Sequence, residues 1–254
     1  MKQNFEVGKE YLNDNPETRQ AFRIAIFGTA GQTEKDLPAL EKAKALGGRF
    51  IEQGFSIGTG GYRGIMKAAS EGAAEKAAAL GLKPQDRITA YTMIEAERFK
   101  DFEVKQGQKI RSGNLPERLG HLINDSEGYV VLNGGQGTVV ELFTTLESER
   151  IAKTFNEEKL LKPIVIIDES GKMTDALSTA AQKEKKLQSA VTAANVFILN
   201  NEPGAIALAG EIMEAYYQRN LGGKTDEEIN EEFGKYNLGE FLNNQENFSQ
   251  GGGI

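Results

Sequence analysis

The chain has 254 residues, of which 39% are hydrophobic and 26% are charged, and this is the composition of a globular protein with ample length for a core. Its formal net charge of −7 argues against a surface that binds nucleic acid. The chain has no cysteine and one histidine, His121, which excludes disulfide bonds, thiolate chemistry and a zinc site built from histidines.

The N-terminal residues, Met1 to Gln20, are polar and lack the apolar segment of a signal peptide. A short helix is predicted to begin near Asn15-Pro16-Glu17, where an asparagine precedes a proline. No apolar stretch of the sequence approaches the roughly 20 residues needed to span a bilayer. We therefore expect a cytoplasmic protein that has no membrane partner.

Short apolar strands alternate with helical patterns between residues 21 and 220, and this alternation predicts a single α/β domain. We expect a Rossmann-like, mostly parallel sheet with helices on both faces. Residues 91–114 have mixed charge and are interpreted as a loop or irregular helix over the site. The predicted strands are Arg23–Phe27, Phe55–Ile57, Arg87–Ala90, Tyr129–Leu132, Pro163–Asp168 and Asn195–Leu199, and the predicted helices are Leu37–Gln53, Ile65–Leu80, Leu115–Asn124, Thr138–Phe155, Thr174–Gln188 and Pro203–Arg219.

Two extensions flank this domain: a polar N-terminal extension of residues 1–20 and a C-terminal extension of residues 221–254. Within the second, Thr225-x-x-Glu228 predicts the cap of a short acidic helix. Residues 243–254 are rich in asparagine and glycine and are interpreted as a disordered tail.

Glycine clusters follow three of the predicted strands, at Gly28, at Gly58 to Gly64 and at Gly134 to Gly137. Because the carboxyl ends of parallel strands meet at one edge of a sheet, these clusters should gather there. Open α/β sheets bind their ligands at this edge.

The third cluster lies between a buried strand and a helix. Such a turn presents backbone N–H groups at the positive end of the helix dipole, which favours a phosphate. Thr138 and Glu141 are one helical turn apart, so the pattern indicates a carboxylate near a bound sugar phosphate. The alternative is structural: Thr138-x-x-Glu141 also fits a capping box, and the glycines also suit a tight turn.

These residues resemble the LOG (Lonely Guy) family, which includes cytokinin riboside 5′-monophosphate phosphoribohydrolases. Gly134 to Glu141 resembles the family signature PGGxGTxxE, and Gly58 to Met66 resembles its second glycine element. Arg118, 23 residues before Glu141, occupies the place of the arginine in the family's MHxRK motif. The chain departs from the family at positions Leu115, Pro116, Leu119 and Asn133, the last of which replaces a proline.

The resemblance implies an enzyme that hydrolyses the N-glycosidic bond of a nucleoside 5′-monophosphate, such as a cytokinin riboside monophosphate or AMP, without a metal or cofactor. It makes Glu141 and Arg118 the catalytic residues, with Glu141 kept ionised by the nearby helix N-terminus. It also implies a homodimer. The residues that it assigns to the phosphate cradle are Gly28, Thr29, Gly60, Gly61, Gly64, Gly134, Gly135, Gly137 and Thr138.

Several alternatives remain open from the residues. Arg118 and His121 also fit the exposed side of a solvated helix. Tyr62 and a water molecule are the candidates for protonating the leaving base. The fold also resembles molybdenum cofactor carriers and nucleotide-sensing modules, which bind a phosphorylated ligand without converting it. The family's older label, lysine decarboxylase, has no support, because no residue is identified as a Schiff-base lysine for pyridoxal phosphate.

Overall fold

Seven parallel strands form one sheet in the computed structural model, which describes residues 13–94, 103–156, 160–183, 191, 195–200 and 202–239. The strand order is β4-β3-β2-β1-β5-β6-β7, and every neighbouring pair runs parallel. This confirms the predicted fold class. The strands are β1 (Arg23–Phe27), β2 (Ser56–Thr59), β3 (Ile88–Met93), β4 (Gln108–Ser112), β5 (Gly128–Leu132), β6 (Pro163–Ile167) and β7 (Asn195–Ile198).

Helices cover both faces of the sheet, and two hydrophobic cores result. Successive side chains of a strand point to opposite faces, so Ile24 and Ile26 of β1 enter one core while Ala25 and Phe27 enter the other. Burial on both faces explains why the central strands are continuously apolar. The helices of the described residues are α1 (Pro16–Ala21), α2 (Leu37–Glu52), α3 (Ile65–Ala79), α4 (Leu115–Asn124), α5 (Gln136–Phe155), α6 (Lys172–Lys183), α7 (Ala205–Asn220) and α8 (Asp226–Phe233).

The strand order reverses between β1 and β5, which are paired neighbours in the sheet. The chain leaves β1 for α2 and leaves β5 for α5, and these two helices pack in different cores. A crevice at the carboxyl ends of the strands is expected at such a switch point. The two loops that border it touch, since the Thr29 amide donates to the Asn133 carbonyl at 2.9 Å.

The prediction of a loop or irregular helix over residues 91–114 is wrong in part. Tyr91 to Met93 complete β3, and Gln108 to Ser112 form β4 at the edge of the sheet. This edge strand carries Gln108, Lys109 and Arg111, which are exposed, so it lacks the apolar run by which the other strands were predicted. Residues 95–102, with Arg98 and Lys100, lie outside the described residues.

The terminal segments contain the two short helices that the sequence predicted. Asn15 caps α1 by accepting hydrogen bonds from the amides of Glu17 and Thr18. Thr225 and Glu228 form the predicted capping box at the start of α8. The predicted tail, residues 243–254, and the end of the predicted helix Thr174–Gln188, residues 184–188, lie outside the described residues. No helix in the described ranges is long and apolar enough to cross a membrane.

Helices α2 and α3 pack with their backbones almost in contact. A Cβ added at Gly47 would lie 2.0 Å from the Ala69 carbonyl oxygen, and one added at Gly72 would lie 1.9 Å from the Lys44 carbonyl oxygen. At the neighbouring Gly48, an added Cβ would lie 3.5 Å from the Gly72 carbonyl oxygen, which is an ordinary contact.

We predict that Gly47→Ala lowers the free energy of unfolding by about 2–3 kcal/mol, because the helices must separate to admit the methyl group. Gly48→Ala is the matched control on the same helix, and alanine there should raise stability by about 0.5–1 kcal/mol through its better helix propensity. Urea unfolding of both variants measures the difference. Equal effects of the two substitutions would contradict this view of the interface.

Candidate functional site

The turn after β5 leads directly into α5, which begins at Gln136 with Gly135 as its N-cap. Gly135 offers no side-chain cap, and Thr138 is the third residue inside the helix. The capping-box alternative is therefore wrong. The amides of a first helical turn have no intrahelical acceptor, so this turn retains donors for another partner. Gly134, Gly135 and Gly137 are exposed, which places this helix end at the surface.

The glycines of this turn differ in what surrounds them. A Cβ added at Gly134 would lie 2.1 Å from Thr138 Oγ1, and Thr138 itself is buried beneath the turn. Cβ atoms added at Gly135 and Gly137 would meet nothing within 4 Å. The fold therefore requires a glycine at the first position, while the other two have open space where a Cβ would lie.

The loops after β1 and β2 close against each other and against this turn. The Ile65 amide donates to the Thr29 carbonyl at 2.9 Å, and a Cβ added at Gly64 would lie 2.2 Å from that same oxygen. Gly64 also has a positive φ of 68°, which suits glycine. At Gly28, an added Cβ would lie 2.6 Å from Ile65. The structure thus brings the three glycine clusters to one edge of the sheet.

Asn133 joins this turn to the loops on either side of it. Its carbonyl accepts from the Thr29 amide, and its side-chain Oδ1 accepts from the Glu169 amide at 2.8 Å. Glu169 in turn forms an ion pair with Lys42 of α2. The sequence comparison marked Asn133 as a departure from a motif proline but gave no role for it. A proline would have no side-chain acceptor for the loop after β6.

Arg118 is buried against the ends of two strands, so the alternative of a solvated helix arginine is wrong. Its Nε donates to the Tyr91 carbonyl at 2.8 Å, and its Nη2 donates to the Gly60 carbonyl at 3.1 Å. A Cβ added at Gly60 would lie 2.1 Å from Nη2, so this glycine makes room for the guanidinium. Gly61 has internal partners as well, since its amide donates to Thr59 Oγ1 at 3.3 Å.

Arg118 also meets Glu141, the residue that the sequence placed beside it. Nη1 of Arg118 lies 3.6 Å from Oε1 of Glu141, and their side chains are 8% and 12% exposed. The two residues come from α4 and α5, so their meeting depends on the packing of these helices against the sheet. The structure therefore contains a nearly buried ion pair beside the exposed end of α5.

Burial raises the pKa of Glu141 to about 7, while the positive charge of Arg118 opposes that rise. The expectation that the helix N-terminus keeps Glu141 ionised is therefore not met. Glu141 is the sixth residue of α5, and the stabilising effect of a helix dipole falls off within the first turn. Desolvation dominates at this depth, so the carboxyl group exchanges its proton near neutral pH.

Charged side chains elsewhere on α4 and β4 have other partners. His121, 42% exposed, lies 3.9 Å from carboxylate oxygens of both Glu117 and Asp125, which fits the surface alternative for this histidine. Lys109 and Arg111 donate to the buried carboxylate of Glu103 at 2.8 and 2.9 Å.

The raised pKa of Glu141 predicts a pH-dependent stability. A carboxyl group whose pKa is raised from 4.5 to about 7 contributes stability that is fully present below pH 4.5 and is lost as the pH rises through about 7. In Glu141→Gln the amide does not titrate, so the variant does not lose this stability as the pH rises. Relative to the wild type, the variant should therefore gain up to about 3 kcal/mol in free energy of unfolding between pH 5 and pH 8.

Urea unfolding at both pH values measures this change. Glu147→Gln is the control on the same helix, because Glu147 is exposed and its pKa is lowered by a hydrogen bond from Arg150. That variant should show no comparable change over this pH range. A constant difference between Glu141→Gln and the wild type would show that Glu141 is ionised throughout.

Comparison with solved structures supports the fold. TM1055, known from an X-ray structure, is 16% identical in sequence, and the match covers 76% of this chain and 98% of TM1055 with a TM-score of 0.54. The molybdenum cofactor carrier protein MCP from Chlamydomonas reinhardtii is 21% identical over 75% of this chain and 96% of its own, with a TM-score of 0.48. The molybdenum cofactor binding protein from Rippkaea orientalis is 18% identical over 62% and 82%, with a TM-score of 0.44.

At TM-scores below 0.5, the two likenesses to molybdenum cofactor proteins imply no shared function. No curated protein matches the sequence significantly. A family model described as the SLOG cluster4 family matches residues 21–196, which include all three glycine clusters, Arg118 and Glu141. This match spans more than half of the chain, and the chain therefore belongs to the SLOG cluster4 family.

Proposed function

We propose that this protein is a LOG-type phosphoribohydrolase, which hydrolyses the N-glycosidic bond of a nucleoside 5′-monophosphate to a free base and ribose 5-phosphate. The observation that carries the proposal is the Arg118–Glu141 pair, with 3.6 Å between the charged groups, beside the uncapped N-terminus of α5. The pair and the helix end supply the two functions that this reaction needs, a group that acts at C1′ and a site for phosphate.

The phosphate binds to the amides of the turn from Gly134 to Gly137. These amides lie at the positive end of α5, and the open space at Gly135 and Gly137 admits the oxygens to the backbone. The turns at Gly28–Thr29 and Gly60–Gly61 form the walls of the cradle. Thr138 supports the turn, since its buried side chain packs against Gly134.

Glu141 acts at C1′ of the ribose. As the bond from C1′ to the base nitrogen breaks, positive charge develops on the ribose, and an ionised carboxylate stabilises it. Water adds to C1′ and gives a proton to Glu141, while the base leaves with the bonding electrons and takes up a proton from solvent. A pKa near 7 suits a base that must accept a proton and then release it.

Arg118 positions Glu141. Two backbone carbonyls hold the guanidinium, so its third nitrogen presents a fixed positive charge to the carboxylate. Arginine stays protonated at all physiological pH values, which makes it a poor proton donor but a constant counter-charge. It opposes the effect of burial and keeps part of the Glu141 population ionised at neutral pH.

Glu141→Gln tests the proposal. The amide can neither stabilise the developing positive charge nor accept a proton, so release of the base should fall by roughly 10²- to 10⁴-fold while nucleotide binding stays measurable. Glu147→Gln, an exposed substitution on the same helix, should retain wild-type turnover. Chromatography of free base after incubation with a panel of nucleoside monophosphates gives the rates, and calorimetry gives the affinity.

If Glu141→Gln retains near-wild-type turnover, Glu141 does not take part in the reaction. If the wild type releases no base from any nucleotide and yet retains one tightly, the protein is a non-catalytic nucleotide binder of the same fold.

We also propose that the protein is a homodimer, as the family resemblance implies, and that α5 forms the interface. One side of this helix carries exposed apolar side chains between the site and the end of the helix, and this apolar face is interrupted by Glu147, which pairs with Arg150. Spacings of three, eight and four residues place these side chains on one side. The exposed fractions are 41% for Val140, 36% for Phe143, 41% for Ile151 and 87% for Phe155. A two-fold axis would cover the face of one copy with the same face of another.

Ile151→Glu should shift the protein from dimer to monomer, because two carboxylates would be buried in each interface. Leu80→Glu is the matched control, since Leu80 is 51% exposed at the end of α3 and lies outside the apolar face. Sedimentation velocity distinguishes the two states. A wild-type protein that sediments as a monomer at micromolar concentration would contradict the proposal.

A further inference from the structure

Tyr62 is an aromatic residue within the second glycine cluster, next to Gly60 and Gly61. Its hydroxyl oxygen accepts a hydrogen bond from the Met93 amide at 3.0 Å, which ties the far end of the side chain to the end of β3. The residue is half-buried, whereas the tyrosines of the sheet, Tyr91 and Tyr129, are fully buried. Tyr62 is thus fixed by its backbone and by its hydroxyl group, and the residue is still partly exposed.

The ring lies beside the ion pair of the candidate site. The guanidinium carbon of Arg118 is 5.9 Å from the ring centroid, within the range of a cation–π contact. Arg118 is itself fixed by two carbonyls and lies 3.6 Å from Glu141. The ring therefore contacts the guanidinium, and the guanidinium contacts the carboxylate.

A nucleotide bound at the proposed site would bring its base close to these three groups. With the phosphate on the turn before α5 and C1′ at Glu141, the base extends from C1′ away from the phosphate. The ring of Tyr62 contacts Arg118, which in turn contacts Glu141, so an aromatic surface lies close to the place from which the base would leave. Stacking on an aromatic ring stabilises a planar heterocycle, and a ring already held in place loses little conformational entropy on binding.

We propose that Tyr62 is the base-contacting residue of this site, on whose ring the planar base of the nucleotide stacks. The inference rests on the proposed function and adds the means by which the leaving group is recognised. It makes the ligand a nucleoside monophosphate with an aromatic base rather than a simple sugar phosphate. It also gives Tyr62 a role in binding, in place of the proton transfer for which the sequence made it a candidate.

Calorimetry with two ligands tests the proposal, in a Glu141→Gln background that prevents turnover. AMP carries a base, whereas ribose 5-phosphate offers the same phosphate and sugar without one. Tyr62→Ala should weaken AMP binding by at least about tenfold, which corresponds to about 1.4 kcal/mol, and leave the affinity for ribose 5-phosphate within about twofold. Tyr62→Phe keeps the ring and should retain most of the AMP affinity.

Two further variants serve as controls. Tyr62→Leu keeps apolar bulk without an aromatic ring, so it should lose AMP affinity as Tyr62→Ala does. It therefore separates loss of the ring from any disturbance that the small alanine side chain causes to the fold. Tyr236→Ala truncates a half-buried tyrosine after α8, next to the residue that bridges to β7 near the opposite edge of the sheet, and should change neither affinity.

The outcomes separate this inference from the function on which it rests. Equal losses for AMP and ribose 5-phosphate in the Tyr62 variants would show a structural role and overturn the inference. Unchanged AMP affinity in Tyr62→Ala and Tyr62→Leu would overturn it as well, while leaving the proposed function intact. If the parent protein binds neither ligand, the proposed function fails and the inference fails with it.

Discussion

The buried guanidinium of Arg118 is the interaction on which the candidate site depends. A buried charge that loses its partners destabilises a protein by about 3–5 kcal/mol, so the surrounding backbone must keep its hydrogen-bond acceptors in place. Here the acceptors are the carbonyls of Gly60 and Tyr91, at the ends of β2 and β3. The same side chain reaches Glu141 on α5. One arginine thus ties two strand ends and two helices into a single arrangement.

Glu141 owes its chemistry to the competition between burial and this neighbouring charge. Burial alone favours the neutral acid, while Arg118 favours the carboxylate, and the result is a pKa of about 7. A tighter ion pair would hold the carboxylate ionised, and removal of the arginine would leave the acid neutral. With 3.6 Å between Nη1 of Arg118 and Oε1 of Glu141, the ion pair is looser than a direct hydrogen bond, and both protonation states of Glu141 are accessible.

The loops around this pair are joined by a chain of hydrogen bonds that follows the strand order. Ile65 donates to Thr29, Thr29 donates to Asn133, and Glu169 donates to the Asn133 side chain. These contacts link the loops after β2, β1, β5 and β6 in the order in which the strands lie in the sheet. The turn before α5 is therefore held from both sides, and its exposed amides keep a defined direction for an anion.

The sequence alone determined the features that depend on local periodicity and on short motifs. The bounds of β5 and α4 were predicted to within a residue, because β5 is apolar throughout and buried on both faces, while α4 buries one side. Strand β4 was missed, because an edge strand with exposed lysine and arginine has no apolar signal. The start of α5 was placed two residues late, since glycines that open a helix look like a turn.

Only the tertiary structure decided which groups contact Arg118 and Glu141 and how deeply these two residues are buried. The pairing of Arg118 and Glu141 was expected from motif spacing, but the carbonyls that hold the arginine come from Gly60 and Tyr91, which are 58 and 27 residues distant in sequence. The role of Asn133 likewise depends on Glu169, which is 36 residues distant in sequence. Burial and hydrogen bonding between distant segments set the charge of Glu141 and the exposure of Tyr62, and a one-dimensional pattern contains neither.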